Sequence, residues 1–217
     1  MKHILLIMSL CIVCSSLTVA QGDSTLSPPL IHEVMLMTGI SYPYLPADFR
    51  THSMKGLDVG AGYSLTFAPG EFGYSTVSLV AEYGLFRFDE SAFMKDLDTI
   101  FVMNTPGLEV KQRPVKAFTC MVNYRGTFSS LSTAFSPYFL IGLGYMYVSV
   151  PAILATPDTS INVGSSNLYS IAWSFGIGVD IPINDKAGIF VQAKSTLGAM
   201  DKTRQYFPIV IGLRYRL

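Results

Sequence analysis

The chain has 217 residues, of which 50% are hydrophobic and 14% charged, and its formal net charge is zero. This composition excludes a generally disordered chain, and the lack of any basic block argues against nucleic acid as a partner. No internal run approaches the roughly 18 consecutive apolar residues that a membrane helix requires. High hydropathy without such a run is typical of a membrane β-barrel, although a very apolar secreted β-protein is the alternative.

The N-terminus has the features of a secretory signal peptide. Lys2 supplies a positive charge, residues 4–13 form an apolar run, and residues 18–20 (Thr-Val-Ala) offer small side chains for cleavage. An uncleaved membrane anchor is the alternative, but the apolar run is short for a span. The sequence therefore predicts that the chain enters the secretory route.

Cleavage there divides the chain into three predicted parts. Residues 1–20 are the signal peptide, 21–31 a short periplasmic leader, and 32–217 a transmembrane β-barrel. Cys120 is then the only cysteine left in the mature chain, so an intramolecular disulfide is not expected.

The mature chain contains a series of segments in which apolar and small or polar residues alternate. The clearest is 169–181, where every odd position is bulky and apolar and every even position is small or polar. Such alternation predicts a strand with a different environment on each face. Its length fits the roughly 9–11 residues of a tilted membrane-crossing strand better than the usual 5–6 of a soluble one. In chain order, the predicted strands are 33–42, 57–67, 75–88, 115–128, 137–150, 169–181, 187–199 and 206–217.

The connections between these eight segments alternate in length, with long links after the first, third and fifth strands and short ones between. Outer-membrane barrels have short periplasmic turns, longer outer loops and an even number of strands. The sequence thus predicts an all-β fold, an eight-stranded antiparallel up-and-down transmembrane β-barrel.

The last strand carries a further signal. Gly212 is followed by Leu213, Tyr215 and Leu217 at alternating positions, which resembles the C-terminal assembly signal of outer-membrane proteins, with Leu217 where phenylalanine is commonest. Over the mature chain, the pattern resembles the small eight-stranded outer-membrane barrels of the OmpX/OmpW and "outer membrane protein beta-barrel domain" kind. The resemblance implies a bacterial outer-membrane location, with outer-membrane lipid and lipopolysaccharide as partners and recognition of the last strand by the assembly machinery.

Several charged and amide side chains fall on the inward face of the predicted strands. Charges that face lipid at the midplane cost roughly 2–4 kcal/mol each, so they are expected inside, where they pair. A polar core that closes the barrel is the favoured interpretation, and a proton or ion path is the alternative. The predicted interior cluster comprises Glu33, Asp58, Glu82, Asn123, Arg125, Asp180, Gln192, Lys194, Arg214 and Arg216.

The link over 89–111 is unusually long and partly apolar. Phe93, Leu97 and Ile100 fall at helical spacing, which favours a short amphipathic helix over the barrel mouth; an extended hairpin is the alternative. Together with Phe101, these residues are the predicted outer-loop contact surface for a ligand or a protein.

Chemical motifs are sparse. His52 lies beside Ser53 in the first outer loop, but no acid that could orient the histidine is evident, and no cluster has metal-ligand spacing. We therefore expect no catalytic site, metal or cofactor. The favoured function is a non-enzymatic barrel that acts in envelope integrity or surface interaction through its outer loops. The alternatives are an enzyme that modifies lipid or lipopolysaccharide, and a narrow transporter of small apolar compounds.

Overall fold

A computed structural model describes most of the predicted barrel. The predicted signal peptide and most of the leader lie outside the described residues. The structure describes residues 30–70, 73–101, 109–128, 135–156, 164–199 and 203–217.

Long strands dominate the described chain, with two helices and two short strands between them. Neither helix is long and apolar enough to cross a membrane. In chain order the elements are β1 (Ile31–Leu45), α1 (Ala47–His52), β2 (Ser53–Gly70), β3 (Gly73–Phe88), α2 (Glu90–Phe101), β4 (Glu109–Gln112), β5 (Val115–Thr127), β6 (Ser136–Val150), β7 (Ile153–Thr156), β8 (Ser166–Pro182), β9 (Ala187–Ala199) and β10 (Arg204–Arg216).

Eight of these strands close a barrel in the order β1-β10-β9-β8-β6-β5-β3-β2, and every neighbouring pair is antiparallel. The barrel closes where β1 pairs with β10, from Glu33 opposite Arg216 to Leu45 opposite Gln205. The predicted eight-stranded up-and-down barrel is confirmed. The strand limits differ from the prediction by at most four residues at each end.

The connections divide the barrel into two ends. The turn end holds the start of β1, the end of β10 and the links 70–73, 127–136 and 182–187. The loop end holds the links 45–53, 88–115, 150–166 and 199–204, which contain α1, α2, β4 and β7. The longest links therefore share one end, which the topology of outer-membrane barrels places outside the cell.

The two faces of the barrel wall have opposite chemistry, as the alternation predicts. On β8, Phe175 is 59% exposed and Ile177 69%, whereas the neighbouring Ser174 is 3% exposed. Outward apolar side chains on all eight strands form a lipid-facing band, and aromatic residues lie at both of its edges, as in membrane barrels. The aromatic residues are Tyr63, Tyr124, Phe139 and Tyr215 toward the turn end, and Tyr42, Phe118, Tyr147, Tyr169 and Phe207 toward the loop end.

Two inward glycines allow close packing inside the wall. A Cβ atom on Gly39 would lie 2.1 Å from the carbonyl oxygen of Ile209, and one on Gly144 would lie 2.1 Å from that of Cys120. Because both obstacles are backbone atoms of a paired strand, neither can move aside without disturbing the barrel. These glycines are therefore fixed by the curvature of the wall, in agreement with the known use of glycine in barrel bends.

Candidate functional site

The turn end of the interior is filled by an ion cluster, defined here as Glu33, Arg125, Asp180, Arg214 and Arg216. Arg125 Nη1 lies 2.9 Å from Asp180 Oδ2, and Arg214 Nη1 lies 3.0 Å from Glu33 Oε1. Arg214 Nε is 3.6 Å from Asp180 Oδ1, so Arg214 contacts both acids. Arg216 Nε and Arg125 Nη2 each lie 4.0 Å from a Glu33 oxygen. The cluster joins β1, β5, β8 and β10 across the lumen.

The predicted interior amides flank this ion cluster. The guanidinium of Arg125 lies 5.0 Å from the ring centroid of Tyr138, whose hydroxyl donates to Gln192 Oε1 at 3.2 Å. Asn123 Oδ1 accepts a hydrogen bond from Ser174 Oγ at 3.0 Å. Polar contacts thus continue from the ion cluster toward the middle of the barrel.

A second charged group lies deeper, and we call it the central triad: Asp58, Glu82 and Lys194. Lys194 Nζ donates to both oxygens of Glu82 at 2.6 Å, and both side chains are 1% exposed. Thr119 Oγ1 donates to Glu82 Oε2 at 3.3 Å. Asp58 Oδ2 accepts from Ser41 Oγ at 2.7 Å, while Asp58 Oδ1 has no hydrogen-bond partner within the described residues. Lys194 is thus paired with Glu82 inside the barrel, while Ser41 holds Asp58 near this pair.

Apolar side chains fill most of the space between the two charged groups. Met37, Val80, Phe190 and Val210 form a buried cluster in the middle of the lumen. A cavity of about 30 Å³ is lined by this cluster, by the ion cluster and by Lys194 of the central triad. Such a volume holds one or two water molecules, which is far below what an aqueous channel needs.

The loop end of the lumen is closed by an aromatic plug, defined as Phe49, Phe86 and Tyr206. The Phe49 and Phe86 rings meet edge to face at 5.1 Å, and the Phe86 and Tyr206 rings at 5.6 Å. Phe49 comes from α1, so the first outer loop folds inward over the mouth. Arg204 lies over the outer side of Phe49, 5.2 Å from its ring centroid.

The structure brings most of the predicted interior residues into two groups. Glu33, Arg125, Asp180, Arg214 and Arg216 meet in the ion cluster; in the central triad Glu82 pairs with Lys194, and Asp58 lies near this pair. Asn123 and Gln192 contact Ser174 and Tyr138 instead of either acid group. The sequence analysis missed the aromatic plug. The alternation of their strands was enough to place Phe86 and Tyr206 on the inward face. Phe49 lies in a loop, where no alternation indicates the direction of its side chain.

Outside the barrel, the predicted helix is present as α2. The Phe93 ring packs against His52 at 5.2 Å and against Phe88 at 5.4 Å between centroids. The extended-hairpin alternative is therefore wrong for residues 90–101. The side chains of Leu97, Ile100 and Phe101, the other predicted contact residues, lie outside the described part of the structure.

The outer loops are tied to one another. β4 pairs with β7 in a two-stranded sheet, and Val110 in β4 is 1% exposed. The amide of Val110 donates to Glu90 Oε1 at 3.3 Å, which attaches this sheet to α2. The Gln112 amide group donates to the carbonyl of Pro151 at 2.7 Å. The loop end is thus a folded surface.

The start of α2 is held by its own acid. Asp89 Oδ1 accepts from Ser91 Oγ at 2.7 Å and from the Ala92 amide at 3.1 Å, an N-cap arrangement. The Ser91 hydroxyl and then the Ala92 amide lower the pKa of Asp89 below its ordinary value. The cap is therefore fully formed at neutral pH and is lost only as the pH falls through the lowered pKa of Asp89.

One sequence expectation about chemistry is wrong. His52 was expected to lack an orienting acid, but Asp96 Oδ2 of α2 lies 2.8 Å from His52 Nε2. Asp96 belongs to α2, the helix that the sequence predicts, and lies 44 positions from His52 in the chain. Among the described hydrogen bonds, none joins the His52 ring to a serine hydroxyl.

No group of three or more His, Cys, Asp or Glu side chains in the described residues is arranged to hold a metal ion.

The barrel has clear relatives in fold. It superposes on a major outer membrane protein from Thermus thermophilus with a TM-score of 0.54 at 9% identity, over 86% of this chain and 99% of that chain. The fold is that of a small outer-membrane β-barrel. With the lipid-facing band, this confirms the predicted resemblance and indicates an outer-membrane protein.

Two further solved structures are similar at lower scores. Neisserial surface protein A gives a TM-score of 0.48 at 10% identity, over 87% of this chain and 97% of that chain. The outer membrane enzyme PagL gives 0.44 at 13% identity, over 85% and 99%. No protein-family model matches the sequence, and no curated protein does.

Proposed function

We propose that the protein is a non-enzymatic outer-membrane barrel that stabilises the envelope and makes surface contacts through its loop end. The observation that carries the proposal is the filling of the lumen. The aromatic plug, the central triad, the apolar cluster and the ion cluster together fill the interior between the loop end and the turn end. Lipid, lipopolysaccharide and the assembly machinery are its proposed partners in the membrane.

This filled lumen argues against transport. An ion path needs a continuous column of water or of exchangeable groups, whereas the buried apolar cluster of Met37, Val80, Phe190 and Val210 leaves only a cavity of about 30 Å³ beside it. A transporter of apolar compounds needs an opening, and Phe49 covers the loop-end mouth at 6% exposure. What the chain offers instead is a rigid wall with a folded outer surface.

We expect the surface role to depend on the loop end alone. In a strain that lacks the gene, the wild-type chain should restore resistance to detergent, and a variant with residues 90–112 replaced by a short Gly-Ser link should not. The reason is that this replacement removes α2 and β4 but leaves all eight barrel strands. Survival in detergent measures the effect.

Two controls accompany this experiment. Boiled and unboiled samples of the variant must migrate differently on a gel, which shows that its barrel still folds. Planar bilayers that contain either protein should carry no current steps, since the lumen is filled in both. Full complementation by the shortened chain would contradict the role of the loops, and regular current steps from the wild type would contradict the filled lumen.

An enzyme that acts on lipid is the second candidate, because His52 and Asp96 form an oriented pair at the loop end. Under our proposal, His52→Gln and Ser53→Ala should leave the lipid A profile of the host unchanged, because no hydrogen bond joins the His52 ring to a serine among the described residues. Mass spectrometry of extracted lipid A is the measurement. A lipid modification that appears with the wild type and disappears in His52→Gln, while Arg113→Gln retains it, would establish the enzyme instead.

A further inference from the structure

The outer wall of the barrel carries a groove near the loop end that the filled lumen does not explain. It lies along β1 and β2, measures about 770 Å³, and is open to the outside of the barrel. Three of its lining residues are exposed cations, Arg50, Lys55 and Arg87. We call it the outer-rim groove.

The position of the cations follows from strand parity. Lys55 and Arg87 continue the outward-facing rows of β2 and β3, just beyond Leu57 and Leu85, which are paired across the two strands. Leu57 is 56% exposed on the lipid-facing band. Both cations therefore stand where that band ends at the loop end, which is the depth of lipid headgroups in a bilayer.

The charge of the groove is not compensated by the protein. No acidic side chain lines it, and none of the three cations has an ion pair within 4.0 Å among the described residues. Lys55 Nζ lies 5.1 Å from the centre of the Tyr42 ring, which holds the ammonium group at the groove. Such a set of cations recognises phosphate oxygens.

The lower part of the groove is apolar. Ile40 is 47% exposed and Leu57 56%, and they form its wall on the side of the lipid-facing band. A free phosphate ion would make no favourable contact with such an apolar wall. The acyl chains of a lipid would cover it while the headgroup contacts the cations. The two halves of the groove thus match the two halves of one amphipathic molecule.

We propose that the outer-rim groove binds the phosphate-bearing headgroup of an outer-leaflet lipid, through Arg50, Lys55 and Arg87. This inference rests on the proposed function as an outer-membrane barrel, and it adds one specific lipid contact to that function. The turn-end mouth also holds arginines, but those of the ion cluster are already paired with Glu33 and Asp180.

The test compares lipids that differ only in phosphate. The barrel is refolded into phosphatidylcholine nanodiscs that contain either bisphosphorylated lipid A or its dephosphorylated form, and native mass spectrometry counts the lipids retained on the ejected protein. The wild type should retain the phosphorylated form preferentially. Lys55→Gln/Arg87→Gln should reduce that retention on the order of 10- to 30-fold, because each Lys or Arg near the membrane surface strengthens the binding of anionic lipid and this variant removes two of them. Lys55→Arg should retain it.

The matched control is Arg113→Gln/Lys186→Gln, which removes the same charge from exposed positions outside the groove and should behave as the wild type. Equal retention by the wild type and Lys55→Gln/Arg87→Gln would overturn the site while leaving the barrel intact. Displacement of the lipid by excess inorganic phosphate would show a free-anion site and would overturn it also. A wild-type chain that fails to insert into nanodiscs would instead contradict the proposed function itself.

Discussion

Replacement of Lys194 by methionine is expected to lower the free energy of unfolding by about 3–5 kcal/mol, the usual cost of removing one partner of a buried ion pair. Lys194 donates to both oxygens of Glu82 with each side chain 1% exposed, so bulk water does not reach the carboxylate that would lose its partner. Asp58 and Glu82 would then remain in the central triad without its ammonium group. Urea unfolding in phospholipid vesicles, followed through the fluorescence of Trp173, the single tryptophan, measures the change.

The control is the double variant Glu82→Leu/Lys194→Met. Removal of both charges eliminates the uncompensated carboxylate, so most of the lost stability should return, and the two substitutions should be strongly non-additive. A double variant no more stable than Lys194→Met would contradict this expectation, because the uncompensated carboxylate would then not be the cause of the loss. Heat-modifiable gel mobility confirms that each variant reaches the barrel state before its unfolding is compared.

The inward and outward faces of the barrel wall were predictable because the alternation that specifies them lies within each strand. Alternation with period two places Phe175 outward and Ser174 inward whatever the neighbouring strands are, and a membrane makes the two faces chemically opposite. For the same reason the sequence could place Glu82 and Lys194 inside. It could not pair them, because they lie 112 positions apart in the chain and only the closure and stagger of the barrel bring them together.

The closure of the loop end was not predictable on those grounds. Phe49 lies in a six-residue helix within a loop, and its role depends on the position of Phe86 and Tyr206 beneath it. Likewise, the helical spacing of Phe93 predicted α2 but not the contact of Asp96 with His52. A loop conformation is set by what it packs against, and that surface exists only once the strands have closed.

The outward face of β8 provides the second large expected effect. Phe175→Arg should lower the free energy of unfolding in vesicles by about 2–4 kcal/mol, because it places a cation at the bilayer midplane. Phe175 lies at the centre of 169–181 and is 59% exposed, so the substitution breaks no packed core. Urea titration in vesicles, with Trp173 as the probe, gives the value.

Tyr169→Arg on the same strand is the matched control. Tyr169 is 53% exposed, close to the value for Phe175, but it lies six residues nearer the loop end, about 15 Å along the membrane normal. At that depth an arginine reaches the headgroups, and its cost should fall to roughly 0–1 kcal/mol. The bilayer is what makes Phe175→Arg the costlier change, because Tyr169 also packs against the rings of Tyr147 at 4.9 Å and Tyr145 at 6.1 Å, so in water its replacement would cost at least as much. Equal effects of the two substitutions would therefore contradict the membrane location of the barrel, whatever the strands and the lumen look like.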